Sequence, residues 1–133
     1  MTQSKDYVLV VRRPSRGLSV TQIIAQTLGC PVVTVTSPWQ ALATAQADPP
    51  HLVILSGEDS YAWSPQMARQ IRQHVQSESI VIVAITESID LSWLPKEEAT
   101  AIDGIFVEPL SADILNALNE SAITKKRCLQ TCS

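Results

Sequence analysis

Ser56 closes the run His51-Leu52-Val53-Ile54-Leu55-Ser56, which is bounded by Pro49-Pro50 before it and Gly57 after it. Four consecutive apolar residues, two of them β-branched, predict a strand buried on both faces, in the middle of a parallel sheet. In such sheets ligands and chemistry gather beyond the carboxyl ends of the strands, so Ser56 stands where a functional site would form. A serine hydroxyl is a weak nucleophile without a base. Glu58 and Asp59 come two and three residues past the strand end and read as a solvated loop. His51 opens the strand at the other edge and His74 falls near a helix end, so no serine, histidine and acid, and no metal cluster, converges on the carboxyl edge. Arg12, Arg13 and Arg16 crowd one loop beside Ser15, a cluster suited to holding a phosphate or nucleotide, although no glycine-rich phosphate loop accompanies it. Arg12-Arg13-Pro14-Ser15 also fits the short target pattern of a basophilic serine kinase, and a phosphate there would invert the local charge.

The elements that must position these groups follow from pattern and punctuation. Tyr7 to Val11 is an apolar strand ending at Arg12-Arg13-Pro14. Ser19 and Gln22 form a capping box for a helix whose apolar positions Val20, Ile23, Ile24 and Leu28 repeat up to Gly29. Pro31 to Thr36 is β-branched strand, and Ser37-Pro38 supplies a cap and a first-turn proline for a helix from Trp39 to Ala47. After the central strand, Gly57 to Trp63 reads as a loop, and Ser64-Pro65 repeats the cap-plus-proline start of a helix that buries Met67, Ala68, Ile71 and Val75. Ile80 to Ile85 is a fourth apolar strand, ending at Thr86. Glu87 to Ala101 is aperiodic, with room for a short helix from Pro95. Asp103-Gly104 turns the chain into the strand Ile105-Phe106-Val107. Ser111 then caps a helix that buries Ile114, Leu115, Leu118 and Ile123, with Lys125, Lys126 and Arg127 at its end, where cations suit the helix dipole. Five strands alternate with five helical segments, which predicts an α/β fold: a three-layer, open, parallel five-stranded sheet with helices on both faces.

The 133 residues make one domain, 1–124, followed by a short C-terminal tail, 125–133. A net charge of -3 lacks the basic excess of a nucleic-acid binder. No charged start precedes an apolar run, and the longest apolar run, Ile80 to Ile85, is too short to cross a bilayer, so a cytoplasmic, membrane-free protein is expected. Cys30, Cys128 and Cys132 lack C-x-x-C spacing and predict neither a disulfide framework nor a metal site.

The stretch Asp103-Gly104-Ile105-Phe106-Val107-Glu108-Pro109-Leu110 resembles the last strand and lysine-proline turn of the receiver domains of bacterial response regulators, the CheY-like family, and the resemblance extends from Tyr7 to Leu118. It implies the flavodoxin-like strand order 2-1-3-4-5. By spacing, Ser56, Thr86 and Glu108 fall where the family has its phosphorylated aspartate, its switch threonine or serine, and its lysine. Arg12 and Arg13 replace the acidic pair that holds magnesium, Ser56 the aspartate and Glu108 the lysine; only Thr86 is kept, and Ile105 stands at the aromatic switch position. Magnesium needs oxygen ligands, which guanidinium groups are not, and phosphoryl transfer to a carboxylate needs both the carboxylate and the metal. The resemblance therefore implies a degenerate pseudo-receiver: a non-enzymatic, cofactor-free, phosphorylation-independent interaction module in signal transduction. Arg12 or Arg13 is expected to pair with Glu108. The expected partner is another signalling protein, a kinase, regulator or output protein, or a second copy in a homodimer.

In that family the fourth helix, last strand and last helix face partners, which nominates Leu91, Trp93, Leu94 and Phe106 as binding residues. The alternative is an anion- or nucleotide-sensing domain built on Arg12, Arg13 and Arg16. A third class, an unrelated enzyme on the same sheet, has no catalytic constellation to support it.

Overall fold

β-Branched, uniformly apolar segments pack best where both faces of a sheet are covered, and that is how the strands of this chain are used. The computed structural model describes residues 7–12, 31–56, 60–75, 80–86, 102–107 and 112–131. Its strands are β1 (Val8–Arg12), β2 (Val32–Val35), β3 (Leu52–Ser56), β4 (Val81–Thr86) and β5 (Gly104–Val107). They form one parallel sheet in the order β2-β1-β3-β4-β5, as expected. Three helices are described: α1 (Pro38–Ala47), α2 (Ser60–His74) and α3 (Ala112–Thr131).

Alternation along each strand divides the interior into two cores. Leu9, Val11, Val53, Leu55, Ile82 and Ala84 point to the side of α1 and α2, where they meet Ala41, Ala45, Met67, Ala68 and Ile71. Val8, Val10, Leu52, Ile54, Val83 and Ile85 point the other way, onto Leu115 and Ala122 of α3. The small Ala41 and Ala45 are fully buried and let the backbone of α1 lie close on the sheet. Gly104 has a related role: a Cβ there would come within 3.1 Å of Cε2 of Phe106.

Local signals placed α1 well. Ser37 is extended (φ -126°, ψ 150°), its hydroxyl accepts from Gln40 N at 3.3 Å, and Pro38 takes the first helical position. Three expectations fail. α2 begins at Ser60, not at Ser64-Pro65, so Pro65 stands past the first turn, where a proline is unfavourable, and the burial of Met67, Ala68 and Ile71 on the same helix offsets that cost. α3 runs on to Thr131, so Lys125, Lys126 and Arg127 lie within the helix rather than at its end. On α3 the buried positions are Leu115 and Ala122, whereas Ile114 is 40 % exposed. The expected helix over Val20 to Leu28 and the short one from Pro95 lie outside the described residues, as do residues 57–59 of the expected loop Gly57 to Trp63, whose remainder is helical.

The amino edge of the sheet is tied by side chains that close loops over long sequence separations. The Tyr7 hydroxyl donates to the carbonyls of Asp48 and Thr44 at the end of α1. His51 is fully buried, with Nε2 2.6 Å from Oδ1 of Asn119 on α3. Arg72 of α2 donates to Ile80 O at 2.7 Å and to Asp103 Oδ2 at 2.6 Å, and that same carboxylate oxygen accepts from Ile82 N at 2.8 Å.

Candidate functional site

Parallel register brings the ends of β1, β3 and β4 to one edge. Arg12, the last residue of β1, lies in register with Ser56, the last residue of β3. Neighbouring strands are spaced by about 4.8 Å, so the two side chains leave adjacent points of the sheet. Ser56 is 1 % exposed, whereas Arg12 is half-buried. Thr86 ends β4 in register with Val107, which ends β5. Glu108 follows Val107 in sequence, but Glu108, Arg13, Ser15 and Arg16 lie outside the described residues, and so does the expected ion pair.

The described ends of β1 and β3 therefore set a guanidinium group beside a hydroxyl, with no carboxylate at either. That composition favours an anion over a cation. Among the described residues no group of three His, Cys, Asp or Glu side chains could hold a metal ion. His51 sits at the opposite edge of the sheet and His74 ends α2, with its carbonyl accepting from Gln46 Nε2 at 3.1 Å. No described histidine thus reaches Ser56 to act as its base.

Of the nominated partner-binding residues, Phe106 is half-buried and packs against the core under α3. Leu91, Trp93 and Leu94 lie outside the described residues. Among the described residues no helix is long and apolar enough to cross a membrane.

A second polar grouping, marked by no motif in the sequence, lies around Tyr7 at the amino edge. Tyr7 and Asp48 line, with Pro31, Val33, Ala43, Thr44 and Ala47, a largely apolar cleft of about 590 Å³ between α1 and the β2 side of the sheet. Burial, and secondarily the Asp48 carboxylate, push the Tyr7 phenol up to about 12 from its usual 10.0. The available signal was a tyrosine at the start of an otherwise aliphatic strand, a polar group that must find an acceptor when buried.

No protein-family model and no curated protein matches the chain. Solved structures do. A response regulator receiver domain (CheY-like) from Methylobacillus flagellatus superposes with a TM-score of 0.68 at 19 % identity, covering 90 % of this chain and 99 % of that one. A chemotaxis response regulator of Vibrio cholerae gives 0.68 at 22 % identity, covering 89 % and 98 %. The signal receiver domain of an HD domain-containing protein from Pseudomonas fluorescens Pf-5 gives 0.72 at 17 % identity, covering 98 % and 96 %. At these identities the likeness is one of fold: the chain has the fold of receiver domains over nearly its whole length.

Proposed function

We propose that the chain is a pseudo-receiver, a receiver fold that serves signal transduction as a protein-interaction module without phosphorylation, metal or catalysis of its own. One observation carries the reading: the residue that ends the central strand is a buried serine with an arginine in register beside it. The phospho-accepting carboxylate and the acids that would hold magnesium are both replaced, so neither the acceptor nor its charge-compensating metal has a place. The fold likeness to receiver domains supports a signalling protein as partner. The -3 net charge argues against nucleic acid.

The test is capture of a partner from lysate of the native organism on immobilised protein, with and without acetyl phosphate and magnesium. The comparison is with a Trp93→Ala, Leu94→Ala double variant shown by circular dichroism to be folded. The reading predicts one protein held equally in both conditions by the wild type and lost by the variant. A partner held only after phosphodonor treatment would overturn it. The second reading, an anion or nucleotide sensor, draws on the half-buried Arg12 beside a buried hydroxyl and on its sequence neighbours Arg13 and Arg16. A rise in melting temperature with inorganic phosphate or ATP that Arg12→Ala abolishes would favour that reading instead.

A further inference from the structure

From Gly17 to Ala47 the sequence contains no Asp, Glu, Lys, Arg or His. That interval contains β2, an edge strand of the sheet, and α1, which covers one face beside it. Sheet edges left open to water are ordinarily blunted with charges, lysine above all, because their unpaired backbone groups template association with another strand. β2 (V-V-T-V) has none, and Val33 and Thr34 are exposed on it. The exposed positions of α1, among them Trp39, Gln40, Ala43, Gln46 and Ala47, are uncharged as well. Of the three exposed large hydrophobic residues among those described, two stand here: Trp39, 75 % exposed, and Val33, 38 % exposed.

We infer that this face is where two copies of the chain join, through antiparallel pairing of their β2 edges, with Trp39 of each copy seated in the cleft of the other. Charge selects the occupant. A surface with ordinary charged residues would have to strip water from them against β2 and α1 with only Asp48 of the cleft to answer them, whereas a second copy brings β2 and α1 positions that are equally uncharged.

Geometry gives the pairing its register. α1 follows the carboxyl end of β2 and returns to the amino end of β3, so Trp39, in its first turn, lies at the carboxyl edge of the sheet. The cleft of about 590 Å³, lined by Tyr7, Pro31, Val33, Ala43, Thr44, Ala47 and Asp48, lies toward the amino edge. A two-fold axis normal to the sheet reverses one copy against the other, keeps both α1 helices on the same face, and sets each Trp39 opposite its partner's cleft. The cleft is within the roughly 300–1,000 Å³ of pockets that enclose small organic groups, and the Asp48 carboxylate on its lining offers an acceptor for the indole N–H. A four-residue strand edge alone falls short of the ~1,000 Å² that a specific interface buries, so α1 and the two seated indoles must supply the rest.

Sedimentation equilibrium of the wild type, Trp39→Ser, Val33→Lys and Ile114→Lys across the micromolar range tests this, with circular dichroism checking each fold. All three positions are exposed, and Ile114 on α3 is the control. The expected result is a dimeric wild type and Ile114→Lys, with Trp39→Ser and Val33→Lys monomeric and folded. A monomeric wild type overturns the inference. A dimer that survives Val33→Lys and Trp39→Ser, or is broken by Ile114→Lys, overturns it equally.

Discussion

Replacing Asp103 by alanine removes one carboxylate oxygen that does two jobs. Oδ2 accepts from the backbone N–H of Ile82 at 2.8 Å and from the Arg72 guanidinium at 2.6 Å. The two contributions differ in size. Arg72 and Asp103 side chains are 27 % and 36 % exposed, so their ion pair is screened and contributes only about 0.5 kcal/mol. Ile82 is fully buried, and an amide there left without an acceptor costs about 1–3 kcal/mol. Asp103→Ala should therefore destabilise by about 2–3 kcal/mol, lowering the urea midpoint by about 1 M. Asp103→Asn keeps an acceptor for Ile82 and loses only the charge, so its cost should be about 1 kcal/mol. Equilibrium urea unfolding followed by tryptophan fluorescence reads both. Equal losses for the two variants would refute the division of labour, because they would mean that the ion pair, not the amide, dominates. A loss below about 0.5 kcal/mol for alanine would show that the Ile82 amide does not depend on Asp103.

Tyr7→Phe should cost about 1 kcal/mol, the hydroxyl donation to the carbonyls of Asp48 and Thr44, in the same unfolding assay. The folded state favours the neutral phenol, raised to about 12 against 10.0. The stability this confers is full below pH 10 and is lost as pH rises through about 12, so the alkaline decline of wild-type stability should be weaker in Tyr7→Phe. Ile71→Ala, at a position 1 % exposed, should destabilise by about 3 kcal/mol, and Ile114→Ala on the open side of α3 by less than about 0.5 kcal/mol, both by urea titration. Ser56→Asp alone should take up no phosphoryl group from acetyl phosphate by intact mass, because Arg12 still stands in register beside it where a magnesium-binding acid is needed.

What could be read from the sequence was what depends on neighbours along the chain. Apolar and β-branched runs marked β1 to β4, the central one bounded by Pro50 and Gly57, and Ser37-Pro38 marked the first turn of α1. Pro65 misled because proline is favoured in a first turn and disfavoured further in, a local preference that the packing of α2 onto the sheet overrode. Ile114 misled because it and Leu115 fit a helical apolar pattern equally well, and which of them faced the core was settled only when α3 docked. The Arg12 and Ser56 pairing was legible, since the end of an apolar run fixes which residue stands at the strand's carboxyl end. The contacts of Tyr7 with Asp48, Arg72 with Asp103 and His51 with Asn119 were not: they span 41, 31 and 68 residues and exist only once the sheet has assembled.

The account stands most directly on the claim that the strand-end site has lost phosphoryl chemistry. Intact-mass spectrometry of the wild type, incubated with acetyl phosphate and magnesium beside a phosphorylatable receiver domain as control, measures it. The account predicts a phosphorylated control and an unmodified chain. A phosphoryl group acquired in stoichiometric amount and released by hydroxylamine, as an acyl phosphate is, would contradict it.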